Sequence, residues 1–179
     1  MDFIIKEIKK MNGKFLGIGI TSEKVKNEII SNNKLSFYEL LEEPKNKLFN
    51  PKKLRKNNQK KIHKKVNIKK IKKRYKKKKI DYIICNFHTI SKFTKTFVRD
   101  SIYINKGYLY IYGTKEQLLS IKEKYLRYTN DIKLKKDKDI YVLIVNNTNT
   151  KSHKLKDIAY WWKDTITNIL DFLTVLLVN

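Results

Sequence analysis

Short apolar runs, separated by stretches of helical periodicity, set what this chain can fold into. Lys14–Ile20 (KFLGIGI), Leu35–Leu41 (LSFYELL), Asp81–Phe87 (DYIICNF), Tyr108–Tyr112 (YLYIY) and Ile140–Val145 (IYVLIV) each have the length and apolar character of a strand. Between them the apolar residues fall on one helical side. Phe3, Ile4, Ile8 and Met11 do so over residues 2–11, and Val25, Ile29 and Ile30 do so after the N-cap types Thr21 and Ser22. Ile90, Phe93 and Phe97 mark a helix to about Tyr103. Thr114-Lys115-Glu116-Gln117 is a capping box, opening a helix lined by Leu118, Ile121, Tyr125 and Leu126. Such alternation predicts a mostly parallel sheet with helices on both faces. The end of the chain adds a constraint. Ile132 and Leu134 alternate with lysines, the pattern of an edge strand, whereas Ile140–Val145 is apolar throughout and suits a strand covered on both faces. The last strand therefore inserts inside the sheet and leaves its predecessor at the edge.

The first strand ends in Phe15-Leu16-Gly17-Ile18-Gly19-Ile20-Thr21. Glycines at a strand-to-helix turn let backbone N–H groups approach a ligand, and equally permit a tight turn with close helix–sheet packing. Glu39 follows Gly19 by 20 residues, and a carboxylate there can accept from both ribose hydroxyls. Glu23 opens the next helix, where its charge suits the helix dipole but opposes a dinucleotide pyrophosphate. With the inserted last strand, this pattern resembles the class I S-adenosylmethionine-dependent methyltransferase fold over roughly residues 12–146. The family's first loop reads acidic-x-Gly-x-Gly-x-Gly. Gly17 and Gly19 match, while Phe15 stands at the acidic position and Thr21 at the third glycine. Asp81–Cys85 resembles the family's fourth strand, and the turn Asn105-Lys106-Gly107 resembles its entry to the fifth. The resemblance implies an α/β Rossmann-like three-layer sandwich with a mostly parallel seven-stranded sheet and an antiparallel last strand. It implies S-adenosylmethionine as cofactor, held by Gly17, Gly19 and Glu39.

Catalytic groups are sparse. Methyl transfer rests mainly on positioning, so it leaves little trace in sequence. Nucleic-acid amino methyltransferases of this fold carry Asn/Asp-Pro-Pro-aromatic after the fourth strand; here Asn86-Phe87-His88-Thr89 has neither proline. Asn86 and His88 remain the candidates, since they sit at the carboxyl end of a parallel strand, where α/β proteins bind ligands. His63, His88 and His153 lack metal-type spacing, and the single cysteine, Cys85, reads as a buried core residue.

The chain of 179 residues carries a formal charge of +25, and residues 51–80 hold 17 of its 42 Lys and Arg with no Asp or Glu. Only four of the basic residues are arginines, and abundant Lys, Asn and Ile together are what AT-rich coding produces. Residues 51–61 read as a solvated loop. Val66, Ile68, Ile71 and Tyr75 predict a short basic helix within 66–79. A lysine-rich insertion at 45–79 of this kind fits RNA or another polyanion through Lys69, Lys70, Lys72, Lys73 and Arg74. Binding of that sort depends strongly on salt and reads sequence poorly.

Residues 1–150 are expected to form the Rossmann-like methyltransferase-type domain, and residues 151–179 a polar linker and an apolar C-terminal helix. Ile158, Trp161, Trp162, Ile166, Ile169, Leu170, Leu173, Leu176 and Leu177 give that helix a broad apolar surface. It fits packing on the sheet, a homodimer seam or a membrane surface through 158–178. The chain shows no signal-peptide pattern and no apolar run of about 20 residues, so a cytoplasmic location, or a peripheral one at the membrane, is expected. Three functions follow: a methyltransferase-like domain with or without activity, a non-enzymatic lysine-rich nucleic-acid-binding module, and a peripheral membrane protein.

Overall fold

The computed structural model describes residues 1–42, 60–65, 71–75, 77–148 and 166. Seven strands form one sheet: β1 (Gly13–Ile18), β2 (Leu35–Glu42), β3 (Lys60–Lys65), β4 (Ile80–Asn86), β5 (Asn105–Gly113), β6 (Ile132–Asp137) and β7 (Ile140–Asn146). Their order is β3-β2-β1-β4-β5-β7-β6. β7 runs antiparallel to both β5 and β6, so it is the inserted last strand, and β6 is left at the edge. The other pairings are parallel. The helices are α1 (Asp2–Ile8), α2 (Glu23–Ser31), α3 (Ile71–Arg74), α4 (Phe87–Ile90), α5 (Thr94–Ile104) and α6 (Lys115–Leu126).

The period-2 alternation of the strands divides the core in two. Leu109 and Ile111 of β5 pack with Phe97 and Ile102 of α5 and with Leu118, Ile121 and Tyr125 of α6. Tyr110 and Tyr112, on the opposite face, pack with Ile4 and Ile8 of α1 and Val25 and Ile29 of α2. Cys85 is fully buried on the α5 side. The capping box at Thr114 and Gln117 forms as read, and Ser22 caps α2 by accepting from the Val25 N–H.

None of the apolar runs marks β3. Its sequence, KKIHKK, holds one aliphatic residue, and its first two lysines fall in the stretch that reads as a solvated loop. The chain instead lays Lys60–Lys65 alongside β2, at the edge of the sheet, where backbone pairing with β2 defines the strand. Of the basic helix expected within 66–79, the described part is the single turn Ile71–Arg74, with Ile71 buried. The helix expected from Ile90 to Tyr103 is broken: α4 passes through a 3-10 turn, Ser91–Phe93, before α5 starts at Thr94. That break turns Phe93 outward. Ile30 and Leu126, near their helix ends, are also exposed. The expected C-terminal helix lies outside the described residues apart from Ile166.

At the amino ends of β4 and β5, Asn105 ties those two strands to the residue that follows β7. Its amide donates to the carbonyls of Ile80 (3.2 Å) and Asp81 (3.1 Å), and its Oδ1 accepts from the Asn147 amide at 3.0 Å.

Candidate functional site

β1 points into a turn at the carboxyl rim of the sheet, between β2 and β4. Gly17 has ordinary backbone angles. A Cβ there would lie 2.5 Å from Leu40 Cδ2 and 2.7 Å from Ile20 Cδ1, so Gly17 serves close packing. Gly19 is different: its φ of +62° lies in the left-handed region that glycine enters without steric cost. Both of its backbone polar groups are paired within the protein. Its N–H donates to the Leu41 carbonyl at 2.7 Å, and its carbonyl accepts from the Tyr112 hydroxyl at 3.3 Å. The side chain of Thr89 packs on the open face of Gly19, in the space a Cβ would fill.

The neighbouring groups complete this closure. Tyr112 is buried, and burial pushes its hydroxyl well above the usual tyrosine range, so it stays a neutral donor. Phe15, at the position where the resembled loop has an acid, is wholly buried beneath the turn; Ile20 is also buried, while Thr21 is exposed. Asn86 ends β4, and its side-chain oxygen accepts from the His88 N–H at 3.0 Å, which makes it the cap of α4. His88 is exposed on that short helix.

Glu39 lies inside β2, three residues before the strand ends at Glu42, with its side chain 3% exposed. It faces α3. Its carboxylate forms an ion pair with Arg74, whose Nε donates to Oε2 at 3.3 Å, and Oε2 also accepts from the Tyr75 hydroxyl at 2.6 Å. Both oxygens are thereby engaged. The pair also withdraws Arg74 from the group of residues read as a polyanion footprint. Lys72 and Lys73 stay exposed on α3, with Lys72 over the ring of Tyr103; Lys69 and Lys70 lie outside the described residues. The structure thus gathers Gly17, Gly19, Asn86 and His88 at one rim and sets Glu39 and Arg74 apart from it.

Sequence reasoning missed three residues here. Thr89 and Tyr112 come from distant parts of the chain, and no local pattern says that they meet at Gly19. Glu42 is the acid that ends β2, and the hydrogen bond from Gly19 to Leu41 holds this strand end against the glycine turn. Recognising Glu42 needed the true end of the strand, which the apolar run understates by one residue.

The order of the sheet, with its antiparallel seventh strand between the fifth and sixth, is that of the class I S-adenosylmethionine-dependent methyltransferase fold, and the chain has that fold. It is similar to a SAM-dependent methyltransferase from Aquifex aeolicus (13% identity, 81% of this chain and 88% of that one, TM-score 0.54). It is similar to a protein described as a predicted O-methyltransferase from Agrobacterium tumefaciens (9%, 74% and 73%, 0.53). It is also similar to spermidine synthase from Thermotoga maritima (11%, 84% and 58%, 0.54), of which it spans little more than half. No protein-family model and no curated protein matches the sequence.

The residues at the turn do not fit the cofactor that the fold implies. The backbone groups of Gly19 are spent on Leu41 and Tyr112, Thr89 covers the glycine face, and the Glu39 carboxylate is held by Arg74 and Tyr75.

Proposed function

We propose that this chain is a methyltransferase-fold protein without methyl-transfer activity, which uses its lysine-rich surface to hold nucleic acid. The observation that carries the reading is the closure of Gly19 by Thr89 and Tyr112. A ligand entering there must expel a packed side chain and break an internal hydrogen bond. Lysines supply the alternative task. Lys72, Lys73, Lys77 and Lys79 are exposed in and after α3, and the β3 strand at the sheet edge has four more lysines in its sequence. Lysine meets phosphate as a point charge, so the expected ligand is a polyanion, read with little sequence preference.

The test has two parts. Calorimetric titration with S-adenosylmethionine and S-adenosylhomocysteine is expected to give no heat and no thermal stabilisation at millimolar ligand. Gel shifts with RNA and DNA across a salt series are expected to show binding that weakens steeply with salt, by about 0.7–0.9 log units in affinity per log unit of salt for each phosphate contacted. Removing residues 51–79 would delete β3 and the buried Ile71, so the fitting variant is Lys72→Gln, Lys73→Gln, Lys77→Gln and Lys79→Gln together. Wild-type affinity in that variant overturns the polyanion reading.

A second reading is favoured by the place of Glu42 alone. An acid ending β2 beside the glycine turn is where the resembled family holds the cofactor ribose. Heat from S-adenosylmethionine that is lost in Glu42→Gln would establish it in place of the first.

A further inference from the structure

A groove of about 370 Å³ opens on the α1 face of the sheet, at the amino ends of β4 and β5. It lies at the opposite end of the strands from the glycine turn. Aromatic rings and lysines meet in it. Tyr82 and Tyr108 are register partners on neighbouring strands, and the Tyr108 and Tyr110 rings lie 6.4 Å apart. Tyr108 is 38% exposed, unusually open for a large ring on a sheet interior to two edges. Lys133 and Lys135 line the far wall because β6 alternates: Ile132 and Leu134 turn to the α6 side, and the lysines turn to the groove. Lys135 sits over the Phe3 ring at 4.6 Å, which fixes its ammonium at the rim.

The groove also holds two carboxylates, Glu7 and Asp131. Both have internal partners. Glu7 accepts from Lys10 (2.9 Å) and from the Tyr110 hydroxyl (3.4 Å), and Asp131 accepts from the Asn146 amide (2.6 Å). Their remaining lone pairs are acceptors for the N–H donors of a base edge. An open ring, acceptors beside it and lysines at the wall are the three parts that a nucleotide needs: a stacking surface, a base edge and a phosphate anchor.

We propose that this groove binds one nucleotide unit, its base stacked on Tyr108 and its phosphate held by Lys133 and Lys135. A free nucleotide and one unit of a single strand offer the groove the same chemistry. This inference rests on the nucleic-acid reading above and gives it a location that the lysine-rich block lacks, since no stacking platform is legible in that block.

The test uses the full chain and three probes: uridine 5′-monophosphate, a labelled oligouridylate, and a duplex of matched length. Tyr108→Leu keeps apolar cover and removes the ring face. It is expected to weaken oligouridylate about tenfold while leaving the salt slope unchanged. Lys133→Gln with Lys135→Gln is expected to flatten the salt slope by about one phosphate's worth. Saturable binding of the monophosphate that Tyr108→Leu abolishes assigns the site to free nucleotides; loss confined to the oligomer assigns it to a strand. Melting temperatures of both variants close to wild type show that folding is intact. If both variants bind oligouridylate as wild type does while the four-lysine variant at α3 fails, the groove is overturned and the polyanion reading stands. If the wild-type chain binds none of the three probes, both fall.

Discussion

Tyr75 donates its hydroxyl to Glu39 Oε2 at 2.6 Å, joining the residue after α3 to the middle of β2. With Arg74 on the same carboxylate, this contact fastens the described part of the basic segment to the sheet. Glu39→Ala should leave both partners facing a pocket that cannot answer them. We expect a loss of about 2–3 kcal/mol, measured by urea unfolding, since hydrogen bonds to a charged group are worth about 1.5–3 kcal/mol and Arg74 regains water at its exposed side. Tyr75→Phe should cost less, about 1.5 kcal/mol, because the ion pair survives. A loss from Glu39→Ala no larger than that of Tyr75→Phe would show that the ion pair adds nothing.

Gly19→Ala tests the closed turn. A side chain at φ +62° costs about 1–2 kcal/mol, and its methyl collides with Thr89, adding about 1–3 kcal/mol. Thr89→Gly in the same chain should return the steric part and leave the conformational one. The interaction energy of the double-mutant cycle is therefore expected to be favourable by more than about 0.5 kcal/mol. Strictly additive losses would mean that Thr89 does not cover Gly19 in solution.

The expected sheet was readable from the chain wherever burial left a mark. Leu109 and Ile111 against Tyr110 and Tyr112 announce a two-faced strand, and IYVLIV announces an inner one. β3 left no mark because an edge strand of lysines is held by backbone pairing, which has no hydrophobic signature. The site was harder to read. The 20-residue step from Gly19 to Glu39 suits a ribose-binding acid only if the strand ends there, and β2 runs on to Glu42. Its partner Arg74 returns from 35 residues away, a distance over which periodicity carries no information. Thr89 lies in a residue run that reads only as a strand end missing its prolines.

Asn105 offers a test at the other end of the sheet. Asn105→Ala removes two donors from backbone carbonyls and an acceptor from Asn147, with an expected loss of about 2–3 kcal/mol. Asn105→Asp keeps an acceptor for Asn147 but sets a carboxylate against those two carbonyls. It should be the less stable of the two at neutral pH, and the gap should narrow as acid protonates the new group. Equal stability of the two variants at every pH would contradict this role.

Alkaline titration should unfold the protein through its buried tyrosines. Burial pushes Tyr75, Tyr110, Tyr112 and Tyr125 above the ordinary value of 10.0. Folded, they keep their protons where the unfolded chain releases them. Their contribution is therefore fully present below pH 10.0 and is lost as pH rises beyond it, by up to about 1.4 kcal/mol per pH unit for each group. Tyrosinate absorbance followed alongside far-UV circular dichroism should show part of the signal appearing only as helix is lost. Complete ionisation of all tyrosines with the helix signal intact would refute the burial.

Among the described residues β3 and β6 are the outer strands of the sheet, and lysine fills four of six positions in β3 and three of six in β6. An unpaired strand border is a template on which another chain's strand can grow, and a row of like charges repels any copy that approaches. Some of the excess charge in this protein thus guards against its own aggregation, so a variant neutral along those borders should precipitate at concentrations where the parent remains clear.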